Sequence, residues 1–354
     1  MASYIKGAVL KRIGYLYEKA FSKENIRKAI HEACKGKRKR KIVAKVLANE
    51  DDYVDKIYEM MSNDEFEPSE YIHEVIKDGV SKKERLLSKP KFYPDHIVCW
   101  CIYLVLEPIL KKSLIKNTFA SLKGRGQMYG LKKCKKKIKG KKGRYYFKSD
   151  IRKFYPSVDV QKLMKMLERK IKDKRFLSLI KKILSVEEGL PIGMILSQLF
   201  ANFYLSEIDH KYEKYGYVRY ADDIVIFTNK PENLSKVRFC LENDLFALGL
   251  TLKPSWAIRM TKKCPLDFMG FKIYRDHVTI RKTTMYRITR RVSKWIKNHS
   301  LKNAYAITSY MGWVKNTNSY LFYEDEISPF VDFKFLKDII RNGEKKNENL
   351  CFGI

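Results

Sequence analysis

Two adjacent aspartates, Asp222 and Asp223, lie between two short runs of strand-forming residues, 217–220 and 224–227. Strand formers interrupted only by small and acidic residues predict a tight β-hairpin that carries both acids at its tip. Neighbouring carboxylates repel each other, so holding both between apolar strands is costly unless a cation neutralises them. The pair is therefore either an ordinary acidic turn or a site for Mg²⁺, which binds a few carboxylates and completes its octahedron with water and phosphates.

The charge balance of the chain indicates the kind of partner. The 354 residues are 45% hydrophobic, which is enough for a large core and two or three subdomains. With 73 lysines and arginines against 40 acids, the net charge of +33 favours a polyanion, nucleic acid first. No apolar run approaches the ~20 residues of a membrane span, and we expect no leader peptide and no membrane partner. Seven scattered cysteines argue for a reducing compartment and against a structural zinc site.

Hydrophobic periodicity and the placement of Gly and Pro predict a mixed α+β chain with a helical C-terminal region. Charged amphipathic helices are predicted over 8–33 and 38–62, with a cationic run at 35–41 between them. Short strands are predicted over 69–93. The most basic segment, 132–144, has the Gly and Lys content of a helix end followed by a flexible loop, and we expect it to contact phosphates.

A third acid upstream changes the interpretation of the pair. Asp150 ends an aromatic strand predicted over 145–151. If that strand lies beside the hairpin, Asp150 meets Asp222 and Asp223 at one point. Three such carboxylates suit two Mg²⁺ ions about 4 Å apart, one activating a nucleophile and one stabilising a leaving group. Taken alone, Asp150 is better explained as the N-cap of a helix.

Five short sequences between about residues 80 and 275 resemble, in order and approximate spacing, the palm motifs of reverse transcriptases. They are Asp150 with the aromatic residues behind it, then 189–198, 220–223, 252–254 and 268–271. Tyr-x-Asp-Asp alone is a weak indication, whereas five motifs in sequence are a strong one. The resemblance implies an α+β right-hand polymerase fold, with fingers, a palm built on an antiparallel sheet and a helical thumb, and it implies an RNA-directed DNA polymerase.

The resemblance also implies a division of the chain. A basic helical extension would cover 1–70, the fingers 71–144, the palm 145–280 with a fingers insertion at about 160–190, and the thumb and tail 281–354. The implied partners are a template RNA with its primer or cDNA, and a structured cognate RNA. The implied location is the cytoplasm, with a bacterium or a phage encoding the protein.

By resemblance, metal binding and catalysis fall on five residues. Asp150, Asp222 and Asp223, with the carbonyl of Ile151, would bind two Mg²⁺ ions, for which Mn²⁺ can substitute. Lys253 would protonate or neutralise the leaving pyrophosphate.

The same resemblance places the incoming deoxynucleotide and the primer. The nucleotide would contact Lys83, Arg85, Ile151, Tyr155, Ile192, Gly193 and Gln198. The fork of Arg85 suits phosphate oxygens, and the ring of Tyr155 would clash with a ribose 2′-hydroxyl. Glycine at 193 would allow close approach of the backbone beneath the templating base pair. The primer end would be gripped by Phe268, Met269, Gly270 and Phe271, with Gly270 again allowing close approach.

The second motif narrows the subgroup. Ile192-Gly193 and Ser197-Gln198 stand where group II intron and retroviral enzymes usually have Gln-Gly and Ser-Pro, and this variant is similar to reverse transcriptases of diversity-generating retroelements. The Val-Thr-Gly thumb signature of retrons is missing, because Ile280 follows Val-Thr. The resemblance implies error-prone copying of a cognate RNA, a cDNA that replaces part of a target gene, and a small basic accessory protein that assembles as a ring.

Two alternatives stay open. Antiviral-defence reverse transcriptases share this palm and can carry the same second motif, and they would copy a structured noncoding RNA. A catalytically silent RNA-binding scaffold built on a polymerase fold would also explain the charge. A scaffold, however, has no reason to keep three converging carboxylates among so many cations.

Overall fold

The computed structural model describes residues 12–77, 84–141 and 143–352, and side chains as far as residue 343. Helices and antiparallel strands are mixed throughout, so the predicted α+β class is confirmed. The described residues form two compact units. The first covers 12–77, 84–121, 149–224 and 235–256, and the second covers 122–141, 143–148, 225–234 and 257–352. The domain boundaries expected from the sequence stay a prediction.

The N-terminal part of the first unit is helical. Its helices are α1 (Leu16–Ala20), α2 (Lys23–Cys34), α3 (Lys41–Ala48) and α4 (Glu50–Ser62). The two long helices predicted here are each broken. Ser22 caps α2 by accepting a hydrogen bond from the Asn25 amide, and Asn49 has φ −129° between α3 and α4. A residue with a short polar side chain competes for backbone hydrogen bonds and so favours a helix boundary over a helix interior.

Two strands and an apolar helix follow. Strands β1 (Ile72–Lys77) and β2 (Glu84–Lys89) pair antiparallel, with Ile72 opposite Lys89 and Lys77 opposite Glu84, as the sequence predicted. Helix α5 (Ile97–Lys111) is buried along most of its length and packs against α2. None of the helices in the described residues is long and apolar enough to cross a membrane.

A four-stranded sheet forms from the middle of the chain. Its strands are β3 (Tyr145–Asp150), β4 (Tyr217–Tyr220), β5 (Asp223–Thr228) and β6 (Ala257–Met260), in the order β4-β5-β3-β6. Strand β3 pairs antiparallel with β6, so that Tyr145 lies opposite Met260. The sequence did not predict β6, which is short and half-buried and owes its extended form to pairing with β3. Helix α6 (Gln127–Lys139) precedes β3. The helices between the strands of this sheet are α7 (Val160–Glu168), α8 (Lys174–Leu184), α9 (Ile195–Tyr204), α10 (Ser206–Glu213) and α11 (Pro231–Ala247).

The most basic segment differs from the expectation of a helix end and a flexible loop. Most of it is helix α6, which buries Leu131, Cys134 and Ile138 and exposes Lys132 and Lys136. Apolar residues spaced by three and four positions bury one face of a helix, and lysines fill the opposite face. Charge therefore hides an amphipathic helix in this segment.

The rest of the second unit is a small sheet and a helical region. Strands β7 (Leu266–Phe268), β8 (Phe271–Ile273) and β9 (Val278–Ile280) are antiparallel neighbours. Helices α12 (Lys282–Lys297), α13 (Leu301–Lys315), α14 (Tyr320–Glu326) and α15 (Phe333–Phe352) follow. Trp295 is buried in the core of these helices, and Trp313 packs against that core and stacks on Phe271 with ring centroids 4.8 Å apart. Both tryptophans are core residues.

Replacing Gly270 is expected to disrupt this packing. Gly270 has φ +86°, and a Cβ added there would lie 2.5 and 2.6 Å from two ring atoms of Trp313. Backbone strain and overpacking together predict that Gly270→Ala lowers the free energy of unfolding by about 2–3 kcal/mol. Chemical denaturation measures this. In the matched control, Gly312→Ala within α13, the added methyl group meets nothing within 4 Å and should stabilise the protein by up to about 1 kcal/mol. Equal effects of the two changes would contradict the role of Trp313.

Candidate active site

The predicted acidic hairpin is present. Strands β4 and β5 are joined by Ala221 and Asp222, and Asp223 is the first residue of β5. Ala221 has φ +54°, a left-handed conformation that costs a residue with a Cβ about 1 kcal/mol. The Nη1 group of Arg219 donates a hydrogen bond of 3.0 Å to the Ala221 carbonyl and so holds the turn in place.

Arg219 is a positioning residue that sequence analysis missed. It is fully buried, and its Nε and Nη2 groups donate to the two carboxylate oxygens of Asp209 at 2.8 and 2.6 Å. Its remaining N–H groups reach Ala221 and the side-chain and main-chain oxygens of Asn202, so all five donors are used. Asp209 also accepts from Thr118 at 2.8 Å. An arginine on the buried face of an apolar strand is the signal that could have shown the need for a buried acid.

The end of β3 lies beside the hairpin, as predicted. The Ile151 amide donates to the Asp222 carbonyl at 3.0 Å, and the Lys253 amide donates to the Asp150 carbonyl at 2.8 Å. Ile151 is fully buried and forms a β-bridge with Leu252. Main-chain hydrogen bonds therefore hold Asp150, Asp222 and Lys253 close together, although these residues are far apart in sequence.

The electrostatics of the site are those of a cluster of charges removed from water. Burial, and then the charge of Asp150, raise the pKa of Asp222, while Lys253 and Arg85 act in the opposite direction. Lys253 forms an ion pair with the Oδ2 atom of Asp150. Burial acts to lower the pKa of Lys253, but its hydrogen bond to Asp150 and the charges of Asp150, Asp222 and Asp223 outweigh burial, and the pKa is raised.

The carboxylates of Asp150, Asp222 and Asp223 are the candidate ligands for a divalent metal. Among the described side chains, which extend to residue 343, no three His, Cys, Asp or Glu side chains form a group that could hold a metal by themselves. The expected binding of two metal ions by Asp150, Asp222 and Asp223 stays a prediction. Asp222 lies in the turn while Asp223 starts the strand, and the ammonium of Lys253 neutralises Asp150. The residues nevertheless fit Mg²⁺, because this ion is commonly held by one or two carboxylates together with substrate phosphates. The raised pKa of Asp222 shows a carboxylate that a nearby cation would stabilise.

Tyr155 lies next to the acids. Burial, and then the charge of Asp222, raise the pKa of Tyr155 to about 12. Its ring is partly exposed and contacts Phe154, and its carbonyl accepts a hydrogen bond of 2.9 Å from the Leu190 amide. The second motif is thereby tied to the segment that carries Tyr155.

Six of the seven residues expected to bind the nucleotide are described, and all six lie in the first unit. Arg85 is exposed on β2, and its charge acts on Asp222. Ile192 is half-buried and Gln198 exposed, and the Ile192 carbonyl accepts a hydrogen bond of 2.8 Å from Ser88 of β2. Gly193 has φ +127°, and a Cβ there would lie 3.0 Å from the Ser88 carbonyl, so glycine at this position allows the close approach of β2. The expected approach to a base pair stays a prediction. Lys83 lies outside the described residues.

The residues expected to grip the primer form a tight hairpin of the second unit, and their contact with a primer stays a prediction. Phe268, Met269 and Phe271 are buried, and Met269 and Gly270 form a two-residue turn in which both have positive φ. Such a turn matches the twist of a tight hairpin. The close approach that glycine allows at position 270 is that of the Trp313 ring. These side chains hold the core of the second unit, and contact with a primer would have to come from the backbone of the turn.

Comparison with known proteins agrees with the motifs. A family model described as reverse transcriptase (RNA-dependent DNA polymerase) matches residues 80–273, more than half of the chain. The chain is 23% identical over 318 residues to the retron Ec73 reverse transcriptase of Escherichia coli, covering 80% of this chain and 98% of that protein. It is 28% identical over 167 residues to the group II intron-encoded protein LtrA of Lactococcus lactis subsp. cremoris, covering 44% of this chain and 27% of that protein.

Among solved structures, apo telomerase from Candida tropicalis aligns with a TM-score of 0.49 at 14% identity, covering 77% of this chain and 56% of that one. The chain thus spans nearly the whole of the retron enzyme but about a quarter of the intron protein. With the family model matched over five ordered motifs, the polymerase fold expected from the resemblance is confirmed. The chain belongs to the reverse transcriptase family and is an RNA-directed DNA polymerase.

Proposed function

We propose that the protein copies a cognate RNA into cDNA by two-metal nucleotidyl transfer at Asp150 and Asp222, with Asp223 and the Ile151 carbonyl assisting. The observation that carries the proposal is the position of two acids on neighbouring strands: Asp150 ends β3, and the partly buried Asp222 immediately precedes β5. Lys253 forms an ion pair with Asp150 beside them. Bound Mg²⁺ or Mn²⁺ ions would supply charge neutralisation at the attacking and leaving oxygens. The proposed domains are those expected from the resemblance, with the palm at 145–280 between the fingers and the thumb.

The chain's own residues would act around that reaction. Lys253, which holds a proton more tightly than a free lysine does, would stay charged and offer that charge to the leaving pyrophosphate. Arg85, with Lys83, would hold the triphosphate through charge-assisted hydrogen bonds. Tyr155, partly exposed beside Asp222, would exclude a ribose 2′-hydroxyl by contact with its ring. The exposed Gln198 and the half-buried Ile192 would line the nascent base pair.

We propose an error-prone retroelement enzyme for targeted gene diversification as the biological setting. The sequence from Ile192 to Gln198 supports it, because the residue that lines the base pair differs from the Gln-Gly of intron and retroviral enzymes. In this setting a small basic accessory protein ring would be a partner.

A second setting is antiviral defence with a structured noncoding RNA as template. Similarity to the retron enzyme over 98% of that protein's length favours a retron-like enzyme and so supports this setting. The missing Val-Thr-Gly signature does not oppose it at the structural level, because Ile280 at that position is a buried core residue of β9. A silent RNA-binding scaffold is the least favoured function, since a scaffold gains nothing from a partly buried Asp222 whose pKa is raised by burial and by the charge of Asp150.

Sequencing the cDNA made from the native RNA separates these settings. A retroelement enzyme is expected to give cDNA with errors concentrated at template adenines, and a defence enzyme cDNA without that bias. The matched control is Ile192→Gln, which restores the Gln-Gly of other families and is expected to lower the error frequency. An adenine bias that Ile192→Gln leaves unchanged would contradict the role of Ile192, and the absence of cDNA would contradict the whole proposal.

Metal binding should depend on pH in a direction set by Asp222. Because the pKa of Asp222 is raised, protons compete with the metal at a higher pH than the ordinary aspartate value of 3.8 would allow. We expect Mn²⁺ binding, followed by electron paramagnetic resonance, to be lost on acidification while ordinary aspartates are still ionised. Lys253→Gln removes a charge that lowers this pKa, so the loss should begin at a higher pH. A midpoint that Lys253→Gln leaves in place would contradict the coupling, and Lys302→Gln, at an exposed lysine, serves as the control.

A further inference from the structure

A strongly basic concave surface lies in the second unit. Two adjoining hollows, the larger of about 650 Å³, share Lys139, Lys262 and Arg275 in their walls. We call this surface the basic groove. The cationic residues that line it are Lys139, Lys141, Arg144, Lys262 and Arg275.

The groove concentrates positive charge without compensation. All five cationic side chains are exposed, and none forms an ion pair with a carboxylate within the described part of the chain. The one acid on its wall, Asp276, is hydrogen-bonded to His277 at 2.9 Å. Five like charges around one hollow repel each other, so the arrangement is stabilised by an anion with several charges.

The backbone around the groove is built, not loose. Thr261 is buried, and its hydroxyl donates to the Gly143 carbonyl at 2.7 Å while its amide donates to the Arg144 carbonyl at 3.0 Å. Gly143 packs so closely on the end of α6 that a Cβ there would lie 2.2 Å from the Lys137 carbonyl. The Gly140 amide bonds the carbonyls of Lys136 and Lys137. The negative end of α6 is therefore satisfied within the protein, which leaves the cations for a ligand.

The charge continues beyond the groove in a line. Lys132, Lys136 and Lys139 are exposed at intervals of four and three residues along one face of α6. From the first to the third lysine the distance along the helix axis is about 10 Å. A line of cations that leads into a hollow suits a polymer with regularly spaced phosphates better than it suits a single small anion. Tyr274 lies on the wall, is partly exposed, and stacks on His277 with ring centroids 4.1 Å apart.

We propose that the basic groove and the lysine face of α6 bind the phosphate backbone of RNA that is not being copied. The groove is lined by residues of the second unit, whereas Asp150 and Asp222 belong to the first unit, and none of the groove residues is among those proposed to bind the nucleotide. The groove would anchor a structured part of the template molecule by its backbone without reading its sequence. The inference rests on the proposed function only for the identity of that RNA.

The test is the binding of a fluorescently labelled RNA stem–loop, measured by anisotropy over a range of salt concentrations. Every protein carries Asp222→Asn, and no nucleotide is added, so binding is measured independently of cDNA synthesis. The groove variant combines Lys139→Gln, Lys262→Gln and Arg275→Gln. The matched control makes the same change of charge at exposed lysines of the second unit that do not line the groove, with Lys302→Gln, Lys334→Gln and Lys337→Gln.

The groove variant is expected to bind the stem–loop about 10²-fold more weakly at roughly 0.1 M salt, and its logarithmic salt slope should fall in magnitude by about 2, because each lost phosphate contact removes roughly 0.7–0.9. The control should change affinity less than about 3-fold. A charge-conserving variant, with Lys139→Arg, Lys262→Arg and Arg275→Lys, should keep the affinity, which separates loss of charge from loss of folding. Equal weakening of groove variant and control, or an unchanged salt slope, would overturn the proposal.

Phosphate groups could also come from a free polyphosphate. Calorimetric titration with inorganic tripolyphosphate distinguishes this source. If the groove substitutions abolish tripolyphosphate binding but leave stem–loop binding unchanged, the groove takes a small anion and the RNA assignment is overturned. If stem–loop binding is weakened as expected and tripolyphosphate competes only at far higher concentration, the RNA assignment holds.

Discussion

Asp222→Asn is expected to lower the rate of primer extension on an RNA template about 10³-fold in Mg²⁺, which corresponds to roughly 4 kcal/mol of transition-state stabilisation. The amide keeps the shape of the side chain but removes the charge that a bound metal would neutralise. Asp150→Asn should have an effect of the same order, because the two carboxylates are proposed to act on the same ions. Single-turnover extension of a labelled primer measures both.

The same substitution should not destabilise the protein. The folded-state pKa of Asp222 is raised, so the folded protein holds a proton there more tightly than the unfolded chain does. By linkage, ionisation of Asp222 lowers stability as the pH rises through the range of that pKa, and neutral asparagine removes the cost. We expect an equal or higher melting temperature together with lost activity. In the control, Asp338→Asn on exposed α15, extension should be unchanged. Extension at the wild-type rate by Asp222→Asn would refute the catalytic assignment.

The buried ion pair behind the hairpin should give the largest effect on stability. Asp209→Ala leaves the guanidinium of Arg219 buried without a counter-charge, and we expect the free energy of unfolding to fall by about 3–5 kcal/mol. The exposed pair of Glu24 and Lys28 on α2 is the matched control, where Glu24→Ala should leave the free energy of unfolding nearly unchanged. Urea denaturation of both variants measures the difference.

A double variant separates stability from positioning. Asp209→Leu with Arg219→Met replaces the pair by apolar side chains and should recover most of the lost stability, because a packed apolar pair costs no desolvation. Ala221 nevertheless loses the hydrogen bond that supports its left-handed backbone, so kcat is expected to stay well below the wild-type value. Recovery of stability and kcat together would show that Arg219 does not position the turn.

Local patterns predicted the elements whose residues are neighbours in sequence. The acidic hairpin followed from strand formers interrupted only by small and acidic residues, and short strands were predicted over 69–93, where β1 and β2 lie. The breaks at Ser22 and Asn49 were missed because the hydrophobic period continues across them. Helix α6 was missed because the abundance of lysine obscured an apolar face that becomes meaningful only when it is buried.

At the site, sequence motifs predicted which residues carry the chemistry but not what each one touches. Gly193 and Gly270 were expected to face nucleic acid, yet the neighbours that require glycine are the Ser88 carbonyl and the Trp313 ring. The partner of each lies 43 or more residues away along the chain, and only the packing of the folded chain brings them together. The same holds for Lys253 and Asp150, which are 103 residues apart in sequence.

The sequence by itself determined the family, the identity of the acids and the basic character of the protein, because motif order and net charge do not depend on how distant segments pack. Only the tertiary structure showed that Arg219 and Asp209 hold the hairpin, that Lys253 neutralises Asp150, and that five cations converge on one groove. Charges act through space, and their energies depend on burial and distance. Both are properties of the fold and not of the order of residues.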